Sequence, residues 1–164
     1  MSLPDEGMIV VVMGVSGSGK TTIGKQLAAR LGCEFLDGDD FHPPANVRKM
    51  AAGTPLTDED RSPWLKSLNE KLLGRRDAVL ACSALKASYR SVLAQGLTDY
   101  RFVHLRGSIE LIRARLAERQ HRYMPASLLE SQFATLEPPR DAIEVDIGDS
   151  VPECLAAIEA RLAR

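Results

Sequence analysis

Two groups of residues in this chain have the types and the spacing for phosphate chemistry. The first is residues 14–21, Gly-Val-Ser-Gly-Ser-Gly-Lys-Thr, which fit the phosphate-loop pattern Gly-x-x-x-x-Gly-Lys-[Ser/Thr]. Glycines in such a loop let several backbone N–H groups converge on phosphate oxygens. The start of a following helix adds unpaired N–H donors and a partial positive charge. Lys20 then lies along the β- and γ-phosphates, and the Thr21 hydroxyl helps to hold Mg²⁺. Gly14, Ser16, Gly17, Ser18, Gly19, Lys20, Thr21 and Thr22 are the candidate nucleotide-binding residues. The second group is Asp37, Asp39 and Asp40. Phosphoryl transfer to a hydroxyl needs one carboxylate to orient or deprotonate the attacking oxygen and another to organise Mg²⁺ and its waters. Aspartates are also common in loops and at helix caps, and that reading stays open, most of all for Asp40.

Periodicity predicts the elements that must position these groups. Residues 9–13 are a β-branched, apolar run that reads as a strand, and 20–31 read as a helix with Ile23, Leu27 and Leu31 on one face and Gly32 as its stop. A second strand, 34–36, runs directly into the aspartates. Strand, loop, helix and strand at this spacing make a unit of a parallel sheet, where ligands sit beyond the carboxyl ends of the strands. The phosphate loop and the aspartates therefore share one mouth. Further strands are predicted at 78–82, 101–105 and 143–147, and helices at 44–52, 64–74, 87–95, 108–116, 127–135 and 153–164. The strand at 78–82 lacks the terminal carboxylate that nucleotide-hydrolysing motors use for Mg²⁺, which argues against a motor.

Between the second and third strands, His42, Lys49 and Arg61 fall close to Asp39 in a helical region, a density of charge that suits a pocket for a polar anion. A lone histidine would more often be structural. Trp64, the single tryptophan, reads as a packing anchor in preference to a stacking platform. Farther on, Arg113, Arg115, Arg119 and Arg122 form either a solvated face or the anion clamps of a closing lid.

At 164 residues with 45% hydrophobic content, the chain fits one domain with a full core. A net charge of −1 argues against general affinity for nucleic acid or anionic membrane, so small-molecule partners are expected. No apolar run approaches the roughly 20 residues of a membrane span, and no basic-then-apolar signal pattern opens the chain. A cytoplasmic protein is expected, with Cys33, Cys82 and Cys154 as reduced thiols and Cys82 as core filler.

The sequence resembles the gluconokinase family of P-loop small-molecule kinases over nearly its whole length. The resemblance rests on the phosphate loop, on Leu36-Asp37-Gly38-Asp39 with His42-Pro43, and on Asn46-Val47-Arg48-Lys49-Met50. It continues through Gly53-Thr54-Pro55-Leu56, residues 58–65, Cys82-Ser83-Ala84-Leu85-Lys86 with Tyr89-Arg90, and Ser131-Gln132-Phe133-Ala134-Thr135-Leu136-Glu137. The block 37–65 makes it specific, because sugar-acid recognition in the family resides there. The resemblance implies a three-layer α/β/α P-loop kinase fold with a five-stranded parallel sheet in the order 2-3-1-4-5. It implies a single domain, 1–164, with a substrate-binding helical insert at about 40–74 and a mobile lid at about 119–136. ATP with Mg²⁺, D-gluconate as acceptor, 6-phospho-D-gluconate as product and a homodimer follow from the same likeness, with no nucleic-acid or membrane partner. By position, Lys20, Asp39 and Arg119 are the implied catalytic residues, with Asp39 facing the substrate hydroxyl and Asp37, with Thr21, on the metal side. His42, Arg48, Lys49, Arg61, Lys86 and Arg90 would hold the polyol and its carboxylate, and Arg115 and Arg119 the adenine and phosphates. The chain departs from many members at His121-Arg122-Tyr123, where they read Gly-His-Phe. A kinase for shikimate or a nucleoside monophosphate is the near alternative. A nucleotide switch is the distant one, and the guanine-reading Asn-Lys-x-Asp is absent from the sequence.

Overall fold

The computed structural model describes residues 7–118 and 126–163. Five strands form one parallel sheet: β1 (Ile9–Met13), β2 (Glu34–Asp37), β3 (Ala78–Ala81), β4 (Tyr100–Arg106) and β5 (Ile143–Asp146), in the order β2-β3-β1-β4-β5. That is the expected 2-3-1-4-5 order. Every residue of β1 and β3 is buried, as strands covered on both faces require, which explains why both read as unbroken apolar runs. Register is tight around the centre, with Val11 beside Leu80 on one side and Phe102 on the other.

The helices are α1 (Lys20–Leu31), α2 (Pro44–Ala51), α3 (Asp58–Leu73), α4 (Ala87–Ala94), α5 (Ile109–Glu118), α6 (Ala126–Thr135) and α7 (Val151–Leu162). Right-handed crossovers put α1 on one face of the sheet and α3 and α4 on the other. α7 packs beside α1, and α3 beside α4, giving the three-layer α/β/α arrangement of P-loop kinases. Two helices, α3 and α7, begin two or more residues ahead of their predicted starts, for the same reason. At α3 the Thr57 hydroxyl accepts from the Asp60 N–H (3.1 Å), while Asp60 accepts from the Thr57 N–H (2.9 Å). This reciprocal cap starts the helix six residues before Trp64 and carries Pro63 inside it, where the lost hydrogen bond falls on the exposed Glu59. At α7 Ser150 and Glu153 make the same exchange.

Trp64, Leu65, Leu68 and Leu72 of α3 are buried against the sheet, so Trp64 does anchor this helix. The carboxyl edge of the sheet is where β1 enters the phosphate loop, β2 enters a short 3-10 turn (Gly38–Phe41), and β3 enters the loop before α4.

Candidate active site

The loop between β1 and α1 holds its shape through positive φ at Gly17 (+83°) and Gly19 (+94°), a region that other side chains seldom adopt. Gly19 caps α1 without a side chain, so the first-turn amides stay directed at the mouth of the loop. Lys20 Nζ donates to the Val15 carbonyl (3.0 Å), folding the ammonium over the loop. Ser18 is buried under the loop, its hydroxyl close to Gly14. Ser16, Gly17, Gly19, Lys20, Thr21 and Thr22 line a cleft of about 480 Å³, while Gly14 and Ser18 support it from below.

Asp37 joins the two chemical groups. Its Oδ2 accepts from the Thr21 hydroxyl (3.1 Å), and its Oδ1 accepts from the Asp39 N–H (3.0 Å). Gly38 allows this turn to pass against β3: a Cβ there would lie 2.8 Å from the Ala81 carbonyl. Asp39 therefore projects into the cleft that holds the phosphate loop, with its side chain 70% exposed.

Across from it the His42 side chain is 3% exposed and stacks on Trp64, with ring centroids 4.0 Å apart and planes 17° from parallel. Trp64 Nε1–H donates to the Gly38 carbonyl (2.8 Å), so this tryptophan both anchors α3 and floors the site. Asn46 Nδ2 donates to the Asp60 carbonyl (3.0 Å) and faces His42 Nδ1 at 3.3 Å. That nitrogen of Asn46 is a donor, so His42 Nδ1 accepts and the ring proton sits on Nε2, 3.8 Å from Asp39 Oδ1. Burial pushes the His42 pKa below its ordinary value, Asp39 pulls it back up, and Arg61 adds a smaller downward push. The balance favours the neutral ring.

Arg61 also lines the cleft. It donates to the Leu56 carbonyl (2.6 Å) and the Tyr89 hydroxyl (3.1 Å), with its guanidinium 5.2 Å from the centre of the Tyr89 ring. The Tyr89 hydroxyl in turn donates to Asp58, which also accepts from Lys86 Nζ (3.0 Å). Hydrogen bonds from Tyr89 and then Lys86 hold the Asp58 carboxyl below its ordinary pKa, and burial first, then Asp58, raises that of Tyr89. Lys49 pairs with Asp60 at 2.7 Å and is the chief reason the Asp60 carboxyl falls to about 2.

Among the residues expected to bind substrate, Asp39, His42 and Arg61 line the cleft, whereas Arg48, Lys49, Lys86 and Arg90 do not. Arg48 is exposed on α2, and Lys49 and Lys86 are engaged by carboxylates of α3. Arg90 is buried: one guanidinium nitrogen donates to the Ala84 (2.7 Å) and Leu85 (3.2 Å) carbonyls, the other to the Glu137 carbonyl (2.9 Å). Its partner Ala84 is the one described non-glycine residue with positive φ (+46°). Arg115 donates to the Ile147 carbonyl, away from the cleft lining. Arg119 and the departure at 121–123 lie outside the described residues. Ser83, Leu85, Ser131 and Gln132 line the cleft although their chemistry drew no attention in the sequence. Their place within recognisable family motifs was the available signal.

Oxygen donors suit Mg²⁺, and Thr21 with Asp37 supplies a hydroxyl and a carboxylate at the phosphate loop. Among the described residues no group of three or more His, Cys, Asp or Glu could hold a metal ion. That donor set fits an ion that arrives with phosphate oxygens and water, which is how Mg²⁺ reaches such sites.

A protein-family profile described as an AAA domain matches residues 9–139. A probable gluconokinase of Xenopus tropicalis is 47% identical, with 96% of this chain and 94% of the relative covered. The gluconokinase of Gluconobacter oxydans (strain 621H) is 53% identical over 80% of this chain and 76% of its own length. This chain belongs to the gluconokinase family. The crystal structure of a gluconokinase from Sinorhizobium meliloti 1021 superposes with a TM-score of 0.90 at 45% identity, covering 97% of this chain and 93% of that one. The cleft is lined at one side by the phosphate loop and at the other by Asp37, Asp39, His42, Arg61 and Trp64, all within the two stretches that carry the family resemblance.

Proposed function

We infer that this chain catalyses ATP-dependent phosphorylation of D-gluconate, giving 6-phospho-D-gluconate by in-line transfer of the γ-phosphoryl group to the primary hydroxyl. The observation that carries this reading is the Thr21–Asp37–Asp39 connection, which ties a nucleotide loop to an acceptor-side carboxylate in one cleft lined by His42 and Arg61.

In this reading Lys20 leaves the Val15 carbonyl for the β- and γ-phosphates, joined there by the loop amides. Thr21 and Asp37 would hold Mg²⁺, which supplies neutralisation of phosphate charge when bound with the nucleotide. Asp39 accepts the hydroxyl proton of the acceptor and aims its oxygen at phosphorus. Arg61 meets the carboxylate of the sugar acid, and the neutral His42, its Nε2–H turned toward Asp39, meets the polyol or the carboxylate of Asp39 itself. Lys49 and Lys86 reach the acceptor only by leaving Asp60 and Asp58, and Arg48 by swinging inward from the surface. Arg90 supports the loop before α4 from behind. Within the lid, about 119–136, closure takes place over residues 119–125, with Arg119 on the transferring phosphoryl group and Arg115 beside the adenine, and it keeps water from the γ-phosphate.

A homodimer in the cytoplasm belongs to the same proposal, supported by the family likeness and by three free cysteines; among the described residues no helix is long and apolar enough to cross a membrane. Light scattering of the purified chain tests the dimer. The decisive test of the activity is ADP release from Mg-ATP with D-gluconate, shikimate, glucose, gluconolactone or AMP at matched concentrations. Release with gluconate far above the others supports the assignment. Preference for another acceptor overturns the substrate while leaving phosphoryl transfer, and release with none removes the kinase reading.

A further inference from the structure

The helix α6 reaches back to the phosphate loop through one side chain. Gln132 Oε1 accepts from the Ser16 backbone N–H at 2.7 Å, and Gln132 Nε2 donates to Ser16 Oγ at 3.0 Å. The orientation of this amide is not ambiguous, because a backbone N–H only donates, so the atom facing it is the oxygen. Two bonds between a carboxamide and one residue fix both the position and the rotation of Ser16, at a loop residue that lines the cleft.

The exit of α6 is held separately. The Glu137 N–H donates to the Leu85 carbonyl (2.7 Å), Glu137 Oε1 accepts from the Ala87 N–H at the start of α4 (2.8 Å), and Arg90 grips the Glu137 carbonyl. One segment, 132–137, thus bridges the phosphate loop and the loop after β3, the two loops being joined again by the Gly14 N–H and the Ser83 carbonyl (3.3 Å). The contacts of Glu137 thus hold the C-terminal end of α6 beside the last-turn residue, Gln132, that touches the phosphate loop.

We propose that Gln132 is a positioning residue of the nucleotide site, holding Ser16 so that the phosphate loop is preformed for the triphosphate. This deepens the kinase reading and rests on it only for the identity of the loop as a nucleotide site. A loop held before the ligand arrives loses less freedom on binding, so the contact acts on nucleotide affinity and leaves the sugar-acid end alone. Loss of two neutral hydrogen bonds corresponds to about a tenfold weakening.

The test uses the full chain. Gln132→Ala should weaken binding of Mg-ADP and of a non-hydrolysable Mg-ATP analogue about tenfold by calorimetry, and raise the KM for ATP similarly. The KM for the sugar acid should stay close to wild type, and the melting temperature should fall by only a few degrees. Ser16→Ala removes only the Oγ bond, so it should give a smaller loss alone and no further loss in the Gln132→Ala background. Nucleotide affinity within twofold of wild type in Gln132→Ala overturns the proposal. So does an equal rise in both KM values, or strict additivity of the two substitutions. Binding is measured without an acceptor, so failure of the gluconate assignment leaves this result readable.

Discussion

Arg90 offers the sharpest separation between a residue that binds substrate and one that builds the site. The perturbation is Arg90→Met, which keeps much of the apolar stem and removes the guanidinium. In the wild type one nitrogen serves the buried Ala84 and Leu85 carbonyls and the other serves the part-buried Glu137 carbonyl. Charged hydrogen bonds contribute about 1.5–3 kcal/mol, and a buried carbonyl left without a donor costs about 1–3 kcal/mol. Taking two donor sites at about 1.5–2 kcal/mol each gives a loss of roughly 3–4 kcal/mol. For a chain of this size that lowers Tm by about 10 °C. Ala84 adds to the expectation, since its left-handed backbone (φ +46°) persists only while its surroundings hold it. Arg90→Lys should fall between, because an ammonium cannot span the same three carbonyls. The assay pairs thermal unfolding with steady-state kinetics at a temperature where both proteins are folded. The expected outcome is a large fall in Tm with a KM for gluconate within about threefold of wild type. A Tm within 2 °C of wild type together with a KM raised more than tenfold would refute the reasoning and put the guanidinium on the sugar acid.

Three further outcomes follow from the same geometry. Asp39→Asn should lower kcat by at least about 100-fold while nucleotide affinity changes little, because the Asp39 carboxylate projects into the cleft and only its backbone N–H is tied to Asp37; wild-type-like turnover would remove it from the chemistry. Arg61→Ala should raise the KM for gluconate by about tenfold or more and leave that for ATP nearly unchanged, and equal effects on both would move Arg61 to the nucleotide side. Stability should fall on acidification below about pH 6.5: burial holds His42, and the buried His104 of β4 whose Nδ1 lies 3.2 Å from Glu144, below their ordinary pKa, so the unfolded chain takes up protons that the fold excludes. The loss grows as pH falls from about 6.5 through the folded values. Asp60, with its carboxyl at about 2, acts far below that window. A Tm that rises between pH 7.5 and 5.5, or a slope unchanged in His104→Gln, would count against this account.

Much was legible in the sequence because it is local. The phosphate loop has a fixed length and composition, the buried strands are apolar runs, and α1 announces its face at Ile23, Leu27 and Leu31, all of them buried. Even the 2-3-1-4-5 order came with the family likeness. Boundaries were weaker where two local signals competed. At α3, Pro63 and Trp64 suggested a start that the Thr57–Asp60 cap overrode, because a reciprocal pair of hydrogen bonds outweighs one missing bond at an exposed position.

What residue type alone could not assign was which charges would face the cleft. Lys49, Arg61, Lys86 and Arg90 look alike as cations in sequence, yet one lines the cleft, two are taken up by aspartates and one is buried on three carbonyls. Gln132 lies 116 residues from Ser16 and carries no charge or periodicity that points there. The sequence by itself determined the phosphate loop, the strand pattern and the chemistry on offer, since each depends on neighbours within a few positions. Only the tertiary structure decided which side chains meet, because burial and hydrogen-bond partners are fixed by chain segments that the fold brings together from far apart.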